Sequence, residues 1–268
     1  MNEAPRSSPM SIEALPFVNW IFWAALSSGS LLVVGLTEAL GGTTRGYRLF
    51  MAWLLVAFAA ILVASDFALP LGAEASATAD ARRPLTIAFA AGCLAYLAAS
   101  IAGWPRAALA LGTGVVGIAA LVVLAAAGGT RSVPLFAVQL VIAALALGAV
   151  NAAMLLGHWY LVTPKLSPTP LRRMMWLLVG CLVLQGLAFG LALVLVGTDA
   201  LEGGLGWLTW LRLGVGILLP IGITVLAIFA SRAASLQAST GLLYVGLALI
   251  MAGSIAGASI TYLTGVPV

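Results

Sequence analysis

Leu135–Trp159 reads LFAVQLVIAALALGAVNAAMLLGHW, a stretch with no charged side chain from end to end. A helix rises 1.5 Å per residue, so about 20 such residues cross the roughly 30 Å hydrocarbon layer of a bilayer. This stretch lies inside a run at about 134–163, and working outward from it the same pattern recurs at about 17–40, 47–69, 85–103, 107–127, 174–197, 207–231 and 241–264. In lipid every backbone N–H and C=O needs an internal partner, and runs of this length satisfy that only as helices. The expected fold is therefore an all-α integral membrane bundle of about eight transmembrane helices, one polytopic domain over residues 1–268. The 134–163 run is the longest and is expected to tilt or to project beyond the bilayer at its His158 end.

Composition points the same way. Of 268 residues 63% are hydrophobic and 7% charged, with a mean hydropathy of +1.15, whereas soluble domains carry about 25% charged residues. The net charge of +4 does not mark a nucleic-acid binder, because the basic residues are scattered between apolar runs. The lipid bilayer is the first partner expected. Cys93 and Cys181 each sit inside an apolar run, as small packing residues rather than disulfide or metal ligands. The start, MNEAPRSSPMSIEALP, has acids and early prolines where a signal peptide has a cationic segment, so the first run is expected to be retained as a helix.

Arg45, Arg48, Arg106, Lys165, Arg172, Arg173 and Arg232 follow the first, third, fifth and seventh runs. The other side has Arg6, Arg82, Arg83 and Arg131, diluted by Glu3, Glu13, Glu74, Asp80, Asp199 and Glu202. The excess predicts that the first side is cytoplasmic and that both termini lie outside a bacterial inner membrane. WIFWAALSSGSLLVVGLTEALGG in the first run loosely parallels Leu135–Trp159, each with small residues mid-helix and a polar residue near the end. Two four-helix repeats, 17–127 and 134–264, are compatible with this.

Ionisable groups within such runs are costly and mark candidate sites. His158, beside Trp159 and Tyr160, titrates near neutral pH and suits proton-coupled contact with a quinone carbonyl, or else a place in an interfacial aromatic belt. After it the helix is expected to break at Pro164, with Lys165, Arg172 and Arg173 in a loop. Glu38 ends the first run on the same side, either to relay protons toward His158 or to pair with Arg48 at the surface. Asp66 and Arg212 are placed at similar depth on the opposite side, where an ion pair would join the two halves. Asn151 and Gln185, nearer mid-membrane, suit interhelical hydrogen bonds or the lining of a polar pocket.

LGTGVVG, with Gly112, Gly114 and Gly117, matches a dinucleotide fingerprint by letter but has no strand before it. Close helix packing explains it better, as it does Gly186 with Gly190 and Gly253 with Gly257. A bis-histidine haem needs two histidines and the chain has one; iron–sulfur ligation lacks cysteines. No nucleophile–base pair, carboxylate dyad or metal motif is visible, so catalytic and metal-binding residues are both read as none.

FVNWIFWAALSSGSLLVVGLTEALGG, then Arg45 and Arg48, then a helix closing on SDFALPLG, resembles the start of the NrfD-like, polysulfide-reductase-type membrane anchors. In that family the second helix closes on an Asp-Leu-Gly-Arg-Pro-like segment. Asp66 and Pro70 match its ends, while Phe67, Ala68 and Leu69 depart from its middle. The resemblance implies an eight-helix, haem-free subunit of a respiratory complex that binds menaquinone or ubiquinone and exchanges electrons with an iron–sulfur partner. On it, His158, Tyr160, Asn151 and Glu38 are the expected quinone residues, and the chain is not catalytic alone. Two other classes stay open. A small proton-coupled transporter would use Glu38, His158 and Asp66 as its path, and a purely structural subunit would need no cofactor.

Overall fold

A computed structural model describes residues 14–69, 77–127, 130–163, 166–197 and 203–268. It is 89% helical, with no strand among the described residues. Eight helices are long and apolar enough to cross a membrane: α1 (Ala14–Leu40), α2 (Arg45–Phe67), α3 (Ala77–Ala102), α4 (Ala107–Ala127), α5 (Val133–Val162), α6 (Thr169–Val196), α7 (Gly206–Arg232) and α8 (Leu236–Thr264). The chain is a multi-pass membrane protein built as an all-α bundle.

Short turns make successive helices antiparallel. After α1 the chain turns through Gly41 and Gly42, whose φ of +73° and +101° is strained for any residue with a Cβ. Thr44 then caps α2, its hydroxyl accepting the Tyr47 N–H at 3.3 Å. α5 and α6 each carry proline in the first turn, where the missing N–H costs no helical bond. Arg106 meets Glu38 at one end of the bundle and Arg82 meets Asp66 at the other. These are called below the Glu38 end and the Asp66 end.

α1 is the centre. Of its most apolar window 78% is buried, against 56% for α5 and 44% or less for the others. α1 packs on α2, α4, α5 and α8, and α5 in turn packs on α4, α6 and α8. Each half shows the same neighbours: α1–α2, α2–α3, α3–α4 and α1–α4 are matched by α5–α6, α6–α7, α7–α8 and α5–α8.

Lipid supplies no hydrophobic force between helices, so they hold by close backbone approach and hydrogen bonds. A Cβ on Gly148 would strike the backbone of Gly29, and one on Gly29 would strike that of Ala144. At the same crossing Asn151 Nδ2 donates to Ser30 Oγ at 3.0 Å, both residues buried. Tyr47 ties α2 to α5 by donating to the Ala152 carbonyl at 2.9 Å. In the LGTGVVG segment Gly114 packs against Leu32 and Gly117 against Ser28 and Phe89, as expected, whereas Gly112 faces open space. Gly253 and Gly257 are likewise close-packed, but Gly190 meets nothing within 4 Å and Gly186 makes only an ordinary 3.7 Å contact.

Three boundaries differ from the sequence expectation. α3 starts at Ala77 rather than near 85 and runs through Pro84. α6 starts at Thr169, so Arg172 and Arg173 lie in its first turn and not in a loop. α7 is not uniform: a π-helical turn, Gly214–Leu218, interrupts it. Pro70, Pro164 and Lys165 lie outside the described residues.

Gly148→Val forces the central pair apart and is expected to lower stability by about 1–3 kcal/mol or more. Gly112→Val, facing open space, should stay within about 0.5 kcal/mol. Thermal melting of both variants in one detergent checks the contrast.

Candidate functional site

At the Asp66 end, α2 closes on a buried ionic cluster. Asp66, 1% exposed, accepts from Arg82 Nε at Oδ1 and from Arg83 Nε at Oδ2, both at 2.8 Å, and its carbonyl accepts from Arg83 Nη2 at 3.1 Å. The Arg82 guanidinium also lies 5.6 Å from the Trp20 ring and that of Arg83 4.8 Å from the Phe67 ring. The expected Asp66–Arg212 pair is thus corrected: Asp66 is in an ion pair, but with α3. The longer α3 is the reason, since its added first turns carry Arg82 and Arg83 to Asp66, two residues that the sequence reading had counted only as loop charges.

At the other end Glu38 is not a surface partner of Arg48. Its side chain is 6% exposed and takes Arg106 Nε at 3.0 Å and the Tyr96 hydroxyl at 3.0 Å, with Arg48 Nε at 3.5 Å. Three elements converge on one carboxylate there, α2, α3 and the residue before α4. An acid held by two arginines and a phenol stays ionised and is a lock rather than a relay.

The four expected quinone residues do not converge. His158 is exposed, and its Nδ1 stands 3.4 Å from the Tyr244 hydroxyl on α8. Tyr160 donates to the Ser167 carbonyl at 2.8 Å, closing the turn from α5 to α6. Asn151 is taken by Ser30, and Glu38 by its arginines. Gln185 is 2% exposed with both amide atoms unpartnered.

A different group of residues does converge, at the Asp66 end between α1, α5, α7 and α8. A cleft of about 330 Å³ is lined by Phe17, Thr130, Phe136, Thr261, Tyr262 and Gly265. Phe17 and Tyr262 form a tilted ring pair at 5.2 Å, and Thr130 Oγ1 is buried without a partner. Behind it, sharing Phe136 and Thr261, lies a cavity of about 30 Å³ that Arg212, Gln139 and Ser254 also line. Arg212 is 4% exposed, with Nε and Nη1 unpartnered; Ser254 Oγ and Gln139 Oε1 are unpartnered as well. Arg212 had been singled out from sequence for the wrong contact. Gln139, a lone amide in the charge-free stretch that opened the sequence reading, was a visible signal. Thr130, Phe136, Tyr262 and Ser254 carry no such mark, because hydroxyls and rings are ordinary in membrane helices.

No protein-family model matches the chain, and no curated protein sequence does either.

Asp66→Asn leaves two buried guanidinium groups without their charge partner and is expected to cost about 3–5 kcal/mol. Because Arg212 takes no part, the loss should be the same in an Arg212→Met background, within about 0.5 kcal/mol. A double-mutant cycle on melting curves reads this directly, and a large coupling energy would restore the pair between the two halves.

Proposed function

We propose that the chain is a quinone-binding membrane subunit of a bacterial inner-membrane redox complex. The observation that carries this reading is the 330 Å³ cleft at the Asp66 end, walled by Phe17, Phe136 and Tyr262. Its volume falls within the roughly 300–1,000 Å³ of small-molecule sites, which join apolar walls to a few polar groups. A flat ring with carbonyl oxygens suits such a site: aromatic side chains pack its faces, and the unpartnered Thr130 hydroxyl is free to donate to one carbonyl.

When bound, a quinone supplies two-electron, two-proton chemistry that no side chain of this protein has. The protein's own part is to hold the ring, exclude water from it and offer the hydroxyl. Electrons come from or go to a partner, for which iron–sulfur subunits are the class implied by the resemblance at the start of the chain. His158 plays no part in this site. The excess of arginine at the Glu38 end makes that end cytoplasmic, which puts the cleft and both termini on the outer side.

A water-soluble quinone such as decylubiquinone, titrated into the full chain in a mild detergent, should quench tryptophan fluorescence saturably. Phe136→Trp fills the cleft and should weaken binding about tenfold or more, a loss of about 1.4 kcal/mol. Thr130→Val should weaken it by a smaller factor, and His158→Ala should leave it unchanged. Equal quenching in wild type and Phe136→Trp would sink the cleft assignment. If His158→Ala alone abolished binding, the site would belong at the Glu38 end.

A further inference from the structure

The small cavity behind the cleft poses a separate chemical problem. Arg212 stays protonated under any ordinary condition, and it is held inside the bundle. A buried guanidinium is costly unless a counter-charge and hydrogen bonds offset its lost hydration. The two carboxylates among the described residues, Glu38 and Asp66, are both committed to other arginines. Yet two Arg212 donors, Nε and Nη1, have no protein partner, and the Ser254 hydroxyl on the same cavity wall has none.

The surrounding backbone is shaped to make this space. The π-helical turn begins at Gly214, two residues after Arg212, and such turns inside α-helices are frequent at functional sites. Gly216 and Gly253 let α7 and α8 touch backbone to backbone. At Gly257 a Cβ would come within 3.0 Å of Arg212 Nε and 3.0 Å of the Val268 carbonyl oxygen, so the guanidinium lies over a glycine that leaves it room.

We propose that this cavity is an anion site, binding one halide-sized monovalent anion against Arg212 and Ser254. Three features set the class. The charge of Arg212 calls for an anion, and water alone leaves that charge unbalanced. The volume of about 30 Å³ matches one water or one halide and is too small for a phosphate. Gln139 sets the position. Its Nε2 is held by the Ala188 and Pro267 carbonyls at 3.3 and 3.2 Å, so Oε1 stays an acceptor. An acceptor repels an anion, which keeps the ion on the Arg212 and Ser254 side. This inference does not depend on the quinone reading, since the ring fills the cleft and the ion lies behind it.

The test uses the full chain in a non-ionic detergent, melted while tryptophan fluorescence is followed. Sodium bromide replaces sodium gluconate at constant ionic strength, and a parallel series adds phosphatidylglycerol against phosphatidylcholine. Bromide should raise the wild-type Tm saturably. The rise should vanish in Arg212→Met, shrink in Ser254→Ala and persist in Gln139→Leu, which removes the repelling acceptor. Crystals of the wild type grown in bromide should show an anomalous peak beside Arg212, a reading that stands even if Arg212→Met fails to fold. The site is refuted by an absent bromide response, by an equal response in Arg212→Met, or by stabilisation with phosphatidylglycerol alone. Failure of decylubiquinone to bind bears only on the cleft.

Discussion

The crossing of α1 and α5 is the contact on which the remaining packing depends. Gly29 and Gly148 bring the two backbones together with no side chain between them, and Ser30 and Asn151 hydrogen-bond across the same crossing. In lipid, where apolar surface has no preference for protein over acyl chains, such an approach is what holds helices together. With that pair in the middle, α4 and α8 each lie against both central helices, and α2 and α6 complete the halves. Asn151 thereby belongs to the scaffold. A mid-membrane amide is costly to leave unpaired, and Ser30 satisfies it.

Charge follows the same logic at both ends. Glu38 and Asp66 are each buried between two arginines, drawn from neighbouring helices and turns, and the pairs staple α2, α3 and α4 to the centre. Such clusters raise the energy of alternative registers, because any sliding of α3 strands charges in a medium that cannot solvate them. Arg212 differs in kind. It is as deeply buried, but its donors Nε and Nη1 point at a cavity instead of a carboxylate. Structure and site therefore separate by pairing: the paired charges hold the bundle, and the unpaired one faces the space where something else binds.

The distribution of polar groups also explains why the Asp66 end, and not the His158 end, carries the cleft. His158 stands at the perimeter with Tyr244 as its neighbour, and Tyr160 closes a turn. At the Asp66 end the starts of α1, α5 and α7 meet the end of α8, and the π turn in α7 prevents that meeting point from closing.

The sequence by itself determined the fold class, the number of spans and most of their limits, because length and apolarity are summed along the chain and need no partner. It also determined that Gly114, Gly117, Gly253 and Gly257 serve packing, since small residues at helical spacing have few other uses in lipid. It left the pairing of charges open. Depth along a helix is readable from position, but azimuth is not, so Asp66 and Arg212 shared a depth without sharing a face. The two turns added before Arg82 and Arg83 then gave Asp66 its partners. Only the tertiary structure decided which polar groups remain unpartnered. That property depends on every neighbour a side chain finds across the bundle, and it moved the candidate site from His158 to the space between Phe136, Gln139 and Arg212.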